Sequence, residues 1–559
     1  MHIRRMSALL LAVLLVFMFG GCGGVAEPEE DPGDQEGPSE AVETEPGDET
    51  EKKTLYIGQS APPKNLNTFL SDYTYDAEAV YHVYARLAQF RPDGEVDPYL
   101  ADWTISDDGL VYTFNIHPDA VWHDGEPVTA RDVAYTFELA ANPNSGSVWF
   151  SRIDKVEGVQ EYHEGQADSI SGIEIIDDKT LQVTLEEIEA AFVAQLTLFM
   201  NIVPEHILGS VPWEDLPNHR FWQEPIGAGP YRLVQYRSDQ FIHLEKFPDF
   251  FLGEPNIDEI YIRLGNWQAL QAAFEAGDID VVRVESSELP NFEAMDGVKL
   301  FRAESTVSNL MVNNRSPFLG DVRVRKAIMH AMDRETMAEG AYMGMARVVH
   351  NAFDTPWTLS PNITTYSYDP DRAMQLLEEA GWDGSVTYKI VLATGNPERE
   401  RAVLILQQNL QDVGIETEIV KMEGGTALDE IDAGNYDLAI VGFGTMSLLP
   451  DTAIIYMGAD AMPPNGFNSC FYEDWELTDL LKEVAMTTDP DARTDLYHQI
   501  TEIATDRLPY LPVVVQQDVV AINTDRVQLP GGFEPVPRNR PGGDTNFVTW
   551  DIINWDIVD

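Results

Sequence analysis

The chain has 559 residues, of which 94 are acidic and 36 basic, for a formal net charge of −58. Such an excess of carboxylates excludes a nucleic-acid partner, because a phosphate backbone would be repelled, and leaves solubility in salt, a saline or alkaline habitat or mere drift as its plain causes, with the steering of cationic solutes as a fourth. Two cysteines exclude a disulfide framework and a thiolate metal site, and a chain this long exceeds what one hydrophobic core can organise, so two lobes or more are expected.

Residues 1–22 read as a targeting segment. Arg4 and Arg5 supply a positive start, Ala8 to Phe19 is an apolar run too short to span a bilayer comfortably, and Gly20-Gly21-Cys22 places small residues at a cleavage point. The segment resembles a bacterial lipoprotein signal, with Phe19 where leucine is more usual; the resemblance implies that Cys22 is lipidated and becomes the mature N-terminus. Cys470 is then alone, and no intrachain disulfide can form. Gly23 to Lys53 holds twelve acidic residues against two lysines among Pro, Gly, Ser and Thr, which predicts a disordered tether (residues 23–53) extended by its own charge.

The body begins with a short strand, Leu55 to Gly58, a loop from Pro62 to Phe69, and Val80, Tyr81, Tyr84, Leu87 and Ala88 at helical spacing behind Asp76. Leu100 to Pro143 follows. Ser106-Asp107-Asp108-Gly109 predicts a turn, Val111 to Ile116 alternates as a strand, His123-Asp124-Gly125 predicts a second turn, and Thr129 with Asp132 forms a capping pair for a helix through about Ala140. His117 and His123 read as surface histidines rather than metal ligands. Thr180 to Leu185 predicts a strand, and Val203-Pro204-Glu205-His206 resembles a strand-end pattern of a known family. In Pro225-Ile226-Gly227-Ala228-Gly229-Pro230-Tyr231-Arg232 two glycines stand two apart, but Arg232 occupies the place of a third, so no phosphate cradle is expected. Strands are predicted at Phe241 to Leu244, Ile257 to Leu264 and Leu310 to Asn313, and helices at Trp267 to Ala276, Asp321 to Arg334, Tyr368 to Gly381 and Ala402 to Val413, the last before a strand from Ile415 to Lys421. Arg323, Arg325 and Arg334 are expected in structural ion pairs. Strands alternating with helices imply a mainly parallel sheet in the second half.

The order WxxSxDGxxYTFxIxxxxxWHDGxPxTAxDVxxxxE within Leu100 to Pro143, the PxGxGPY segment from Pro225, and the Asp321 to Arg334 helix together resemble the extracytoplasmic solute-binding proteins of ABC importers, family 5, which includes oligopeptide, dipeptide, nickel and some oligosaccharide binders. The resemblance covers nearly the whole chain after Thr54. It implies an α/β fold of the two-lobe periplasmic-binding-protein type, with mixed sheets flanked by helices, an extra subdomain in the first lobe and a two-strand hinge. The implied divisions are residues 54–303 for the first lobe, about 90–224 for its subdomain, 304–512 for the second lobe and 513–559 for the return to the first. The crossings are expected near Phe301 to Leu310 and Leu511 to Asp518.

The same resemblance places the solute between the lobes. Asn67, Tyr73 and Tyr75 lie on the loop implied to reach the cleft, and Phe443, Gly444, Thr445 and Met446 follow the strand implied to line it. Trp267, Trp357, Tyr456 and Asn468 complete the candidate ligand-binding set, with Trp149 as a further aromatic. In peptide binders of the family an aromatic after the glycine is followed three positions later by an aspartate that pairs with the peptide's amino terminus. Phe443 matches the aromatic, but Met446 stands in the aspartate's place, and a thioether cannot balance an ammonium in a dry cleft. An oligopeptide held by main-chain bonds, or an oligosaccharide on aromatic platforms, is the implied ligand, and scattered histidines speak against nickel. No GxSxG, HExxH or GxxxxGKS/T motif occurs, which speaks against a secreted hydrolase, so no enzyme and no cofactor is expected. The implied partners are ABC permease subunits and, through the lipid, the outer face of the bacterial cytoplasmic membrane. A monomer is expected. A surface sensor would share the same pocket.

Overall fold

The computed structural model describes residues 52–70, 74–444, 450–464, 466–536 and 544–558. The signal, Cys22 and most of the tether lie outside the described residues. Residues Lys52–Asp559 form one unit.

Two long strands organise the fold. Val298–Val312 and Leu511–Asn523 pair antiparallel from Val298 opposite Asn523 to Leu310 opposite Leu511. At one end Phe301, Ala303, Val520 and Ile522 enter a large core that also holds Leu55, Tyr84, Trp122, Phe137 and Trp555. At the other end Leu310, Val312, Leu511 and Val513 enter a second core with Ile328, Leu406 and Ile440. The pairing slips at two places: Glu304 opposes Gln517 and Thr306 opposes Gln516, leaving Ser305 as a bulge, and a second irregularity falls between Ser308 and Asn309. Pro512, opposite Asn309, has no N–H to give a ladder, as suits an irregular position.

On the first-lobe side the sheet continues through Val281–Val284, Thr54–Gln59, Glu259–Leu264, Phe241–Lys246 and Tyr231–Arg237. On the second-lobe side it continues through Leu438–Phe443, Thr387–Ala393 and Glu416–Met422, which run parallel to one another, while Leu438–Phe443 is antiparallel to the long strand beside it. The second-lobe helices cover these strands: Pro397–Asp412 buries Ala402, Val403, Leu406 and Leu410.

The subdomain of the first lobe is built on a four-stranded antiparallel sheet, in order Ala101–Ile105, Val111–Ile116, Thr180–Thr184 and Ile173–Asp177. Tyr112, Phe114 and Ile116 face inward, as alternation requires. Helix Ala130–Ala141 starts as the capping pair predicts, and the buried Asp132 carboxylate does more than cap. It accepts from Thr129 N at 2.7 Å, Thr129 Oγ1 at 2.9 Å, Glu205 N at 2.8 Å and Trp122 Nε1 at 3.4 Å.

The two strongest sequence markers are clamped together. His123 N donates to Gly227 O at 2.9 Å and Gly227 N donates to His123 Nδ1 at 3.2 Å. That leaves Nε2–H to meet Gly229 O at 3.0 Å, a neutral imidazole used at both nitrogens. Burial pushes its pKa down to about 4. His123 is therefore a joint rather than a surface residue. Gly227 and Gly229 are glycines because the chain passes against the backbone of Val83 and His82: a Cβ on Gly227 would lie 1.8 Å from Val83 O, and one on Gly229 2.4 Å from His82 O.

Several expectations change. The helix behind the first loop spans only Thr74–Ala79; Val80 to Tyr84 form turns, which aim the Val83 carbonyl at Gly227 and Gly229, and Ala88–Phe90 is a strand. Ile173–Asp177 is a strand the sequence reading omits. Val203-Pro204 leads into a short helix, Glu205–Leu208, instead of ending a strand. Arg323 pairs with Asp321, as expected, but among the described residues Arg325 and Arg334 have no ion pair. Arg325 donates to the carbonyls of Leu319, Gly320, Arg507 and Leu508 and to Asn314 Oδ1; Arg334 donates to those of Val349, Pro512 and Tyr366.

Away from the crossing strands the lobes also touch. Ala190 N, in the subdomain, donates to Ala485 O, in the second lobe, at 3.0 Å. Beside it Glu189 has its pKa raised to about 7 by burial and by the charge of Asp154, with a smaller contribution from Asp451 of the second lobe.

Gly227→Ala is expected to cost about 3 kcal/mol or more in urea unfolding, because backbone and not a yielding side chain fills the space. For Glu189 the folded chain holds the proton more tightly than the unfolded one, so its favourable contribution is full below the ordinary glutamate range and is lost as pH rises to about 7. Glu189→Gln is expected to raise Tm by a few degrees at pH 8 and to leave it nearly unchanged at pH 4; thermal unfolding at the two values checks this.

Candidate functional site

Strand directions locate the site. Val281–Val284 is antiparallel to Leu511–Asn523, so its carboxyl end points toward the second lobe; Leu438–Phe443 is antiparallel to Val298–Val312, so its carboxyl end points back toward the first. The carboxyl ends at Gln59 and Val284 thus face those at Ala393 and Phe443 across the middle of the long strands. In α/β sheets the carboxyl ends of strands are where backbone and helix starts are open to a ligand.

On the first-lobe side the centre is Arg283. Its guanidinium lies 2.9 Å from Asp518 and 3.4 Å from Asp544, and 5.1 Å from the Trp267 ring centroid. Burial opposes its charge, but Asp518 and Asp544 more than offset this and raise its pKa. The fully buried Asp544 carboxylate also accepts from Ser60 N at 3.0 Å, Ser60 Oγ at 2.8 Å and Tyr75 Oη at 3.3 Å. Burial, and then the Asp544 charge, push the Tyr75 phenol up to about 12. Behind them Glu78 accepts from Asp544 N, Thr545 N and Thr545 Oγ1 at 2.8 to 2.9 Å. Burial and the neighbouring Asp544 raise its pKa to about 7. One arginine is thus set among several carboxylates in a largely buried polar wall.

On the second-lobe side Phe443 is the last residue of its strand and turns into an aromatic cluster, 4.7 Å from Tyr456 and 5.3 Å from Tyr510, with Phe467 5.6 Å beyond Tyr456. Tyr510 Oη donates to Tyr456 O at 2.8 Å, fixing the cluster. Gly444 lies by the hinge: a Cβ there would meet Thr306 Oγ1 at 3.8 Å.

The structure therefore brings Tyr75 and Trp267 together around Arg283, and Phe443 and Tyr456 together on the opposite lobe. Asn67 is elsewhere. It is buried, its Oδ1 accepts from Phe69 N at 3.0 Å, and it borders a first-lobe cavity of about 690 Å³ with His219, Trp222 and Tyr236. Trp357 packs edge-on to Tyr497 in the second-lobe core, 5.1 Å between centroids. Trp149 is buried and donates to Thr68 O at 2.8 Å. Asn468 is fully buried, and its amide donates to Gly458 O and Tyr472 O, both at 2.8 Å, so it has no donor to offer a solute. Tyr73, Thr445 and Met446 lie outside the described residues. Sequence reasoning missed Arg283, Asp518, Asp544 and Glu78, since no local pattern links them. Among the described residues no group of His, Cys, Asp and Glu is placed to hold a metal ion.

Comparison with known proteins agrees with this geometry. Residues 95–462 match the bacterial extracellular solute-binding proteins, family 5 Middle. A protein of Brucella ovis that bears the name putative ABC transporter peptide-binding protein is 31% identical over 425 residues, covering 73% of this chain and 76% of its own. The dipeptide-binding protein of Escherichia coli is 28% identical over 490 residues, covering 82% and 88%. The crystal structure of NikZ from Campylobacter jejuni, in complex with Ni(L-His), superposes with a TM-score of 0.69 at 25% identity, covering 90% of this chain and 99% of that one. Two lobes on a pair of crossing strands, both signature segments and these relatives lead to one conclusion: the chain belongs to family 5 of the bacterial extracellular solute-binding proteins.

Proposed function

We propose that this protein captures a peptide-type solute between its lobes and hands it, unaltered, to the permease subunits of an ABC importer. The observation that carries the reading is the opposed pair of strand ends, with the Arg283 cluster on one side and the Phe443 cluster on the other, joined by two strands whose pairing slips at Ser305. Closing such a cleft expels water and strengthens each hydrogen bond to the solute, and the closed shape is what a permease can distinguish from the open one. Peptide-binding relatives support a peptide. Trp149 and Trp357, two of the aromatics a sugar would need as platforms, pack within core instead.

In this reading the lobes comprise residues 54–303 with 513–559, and 304–512, with a subdomain at about 90–224. Lipid on Cys22 and the acidic tether would hold the body near the membrane surface.

Native mass spectrometry of the full chain, as purified and after incubation with di- to pentapeptide mixtures, tests the proposal. One peptide retained per chain and recovered intact is expected, with Tm rising as for a ligand that adds about 2.7 kcal/mol at a hundred times its dissociation constant. Hydrolysed peptide would overturn the binding role, and retention of oligosaccharides but no peptide would overturn the ligand class.

A further inference from the structure

Arg86 follows the turns of Val80 to Tyr84 and is only 7% exposed. Its guanidinium lies 4.2 Å from the centroid of the Tyr81 ring, which covers one side of it, yet among the described residues no carboxylate, carbonyl or amide oxygen accepts from it. In a chain of 94 acidic against 36 basic side chains, a guanidinium drawn out of water without an acceptor is an unbalanced cost. The other interior arginines are satisfied: Arg283, Arg347 and Arg493 each have at least one carboxylate, and Arg325 and Arg334 are filled by carbonyls.

Arg86 borders a first-lobe cavity of about 40 Å³. Tyr81, Gln89 and Tyr99 also line it, and among the described residues neither phenol hydroxyl nor the side-chain amide has a hydrogen-bond partner. Burial pushes the Tyr99 phenol up, the Arg86 charge opposes this and Tyr81 adds to it, so the three polar ends lie near one another. Burial, and then the Arg86 charge, push the His82 imidazole down to about 3, which leaves it neutral beside them, with Nε2 3.2 Å from Thr549 Oγ1. The carboxylate on the wall, Asp551, is engaged elsewhere: it accepts from Asn554 Nδ2 at 2.6 Å, burial raises its pKa, and Arg86 does not act on it. Donors thus outnumber acceptors around this space. The cavity also touches Pro230, and the next residue, Tyr231, pairs with Lys246 at the end of the sheet where Thr54 and Glu259 begin their strands. The interlobe site lies at the opposite, carboxyl ends of those strands.

We propose that this cavity is a second binding site, outside the interlobe cleft, for one small planar anion of the formate, acetate or nitrate class, held by Arg86 with Tyr81, Gln89 and Tyr99. Size sets the class: a water needs roughly 10 to 15 Å³ of such space, so a cavity of about 40 Å³ takes an ion of roughly three or four heavy atoms and excludes a peptide or a sugar. Charge sets the sign, and the planar fork of a guanidinium suits a planar oxyanion. The walls come from Tyr81 to Tyr99, from Pro230 and from Trp550 to Ile553, so an ion there joins early and late parts of the chain to the Pro225 segment and stabilises the folded lobe by mass action. The inference is independent of peptide capture.

Thermal unfolding of the full-length chain in sodium formate, acetate or nitrate, against sodium gluconate at equal ionic strength, tests this, because gluconate carries the same head group on a body too large for the cavity. Line broadening of isotope-labelled formate in NMR reads binding directly. Wild type is expected to gain Tm saturably in the three small anions and to broaden the formate line, and Arg86→Met to lose both effects. Tyr99→Phe and Gln89→Leu keep the charge and remove one donor each; they are expected to raise the apparent dissociation constant of formate by about 3- to 10-fold, and they test the site should R86M fail to fold. Loss in R86M, or its failure to fold, together with weakening in at least one of the other two variants supports the inference. Formate effects that survive R86M, an affinity unchanged in both Y99F and Q89L, or a gain in gluconate equal to that in formate overturns it.

Discussion

The antiparallel pairing of Val298–Val312 with Leu511–Asn523 is the constraint on which the rest depends. Each of these strands contributes one end to each lobe core, so neither lobe can form its sheet without the segment that also serves the other. The pairing fixes the direction of every neighbouring strand, and through direction it decides that carboxyl ends from both lobes meet at the same level. The site is thus a product of topology before it is a product of side chains. What side chains add is contrast: a hydrogen-bonded charge cluster on one wall and packed aromatic rings on the other.

The electrostatics separate into two populations. Exposed pairs such as Arg91 with Glu95, or Lys482 with Asp460, sit in water and contribute little to stability. The interior groups behave differently. Asp544 is satisfied by Ser60, Tyr75 and Arg283 at once, and Glu78 is held by backbone N–H groups of the same short segment, so that the far end of the chain is tied to its beginning through polar contacts. Removal of one member would strand the others in a poorly solvated place, which makes the cluster a single unit.

Much of the fold was legible because its causes are local. The turn at Gly109, the alternation of Val111 to Ile116 and the Thr129 and Asp132 cap each lie within a few residues, and each is found. What escaped has distant causes. His123 reads as exposed until Gly227 is known to lie against it, 104 residues away. Val80 to Ala88 has helical spacing, yet the chain turns there because the Val83 carbonyl must meet two glycines. The fifteen-residue strand from Val298 was seen only at its end, because Glu304-Ser305-Thr306 has no core pattern: it runs between two cores and belongs to neither. The candidate site divides likewise. Tyr75 and Phe443 came from family position, and Trp267 and Tyr456 from the aromatic platforms a sugar would want, whereas Asp544 and Glu78 are joined across 466 residues with no motif to betray them.

The bulge at Ser305 has a mechanical meaning. When a sheet bends at one line, atoms travel in proportion to their distance from that line, so groups beside the fulcrum keep nearly constant spacing while remote ones swing through a wide arc. A guest arriving between the halves would find its innermost contacts already assembled and its outermost ones still apart. With such a bend, capture would proceed from the inside outward, and release would begin at the periphery.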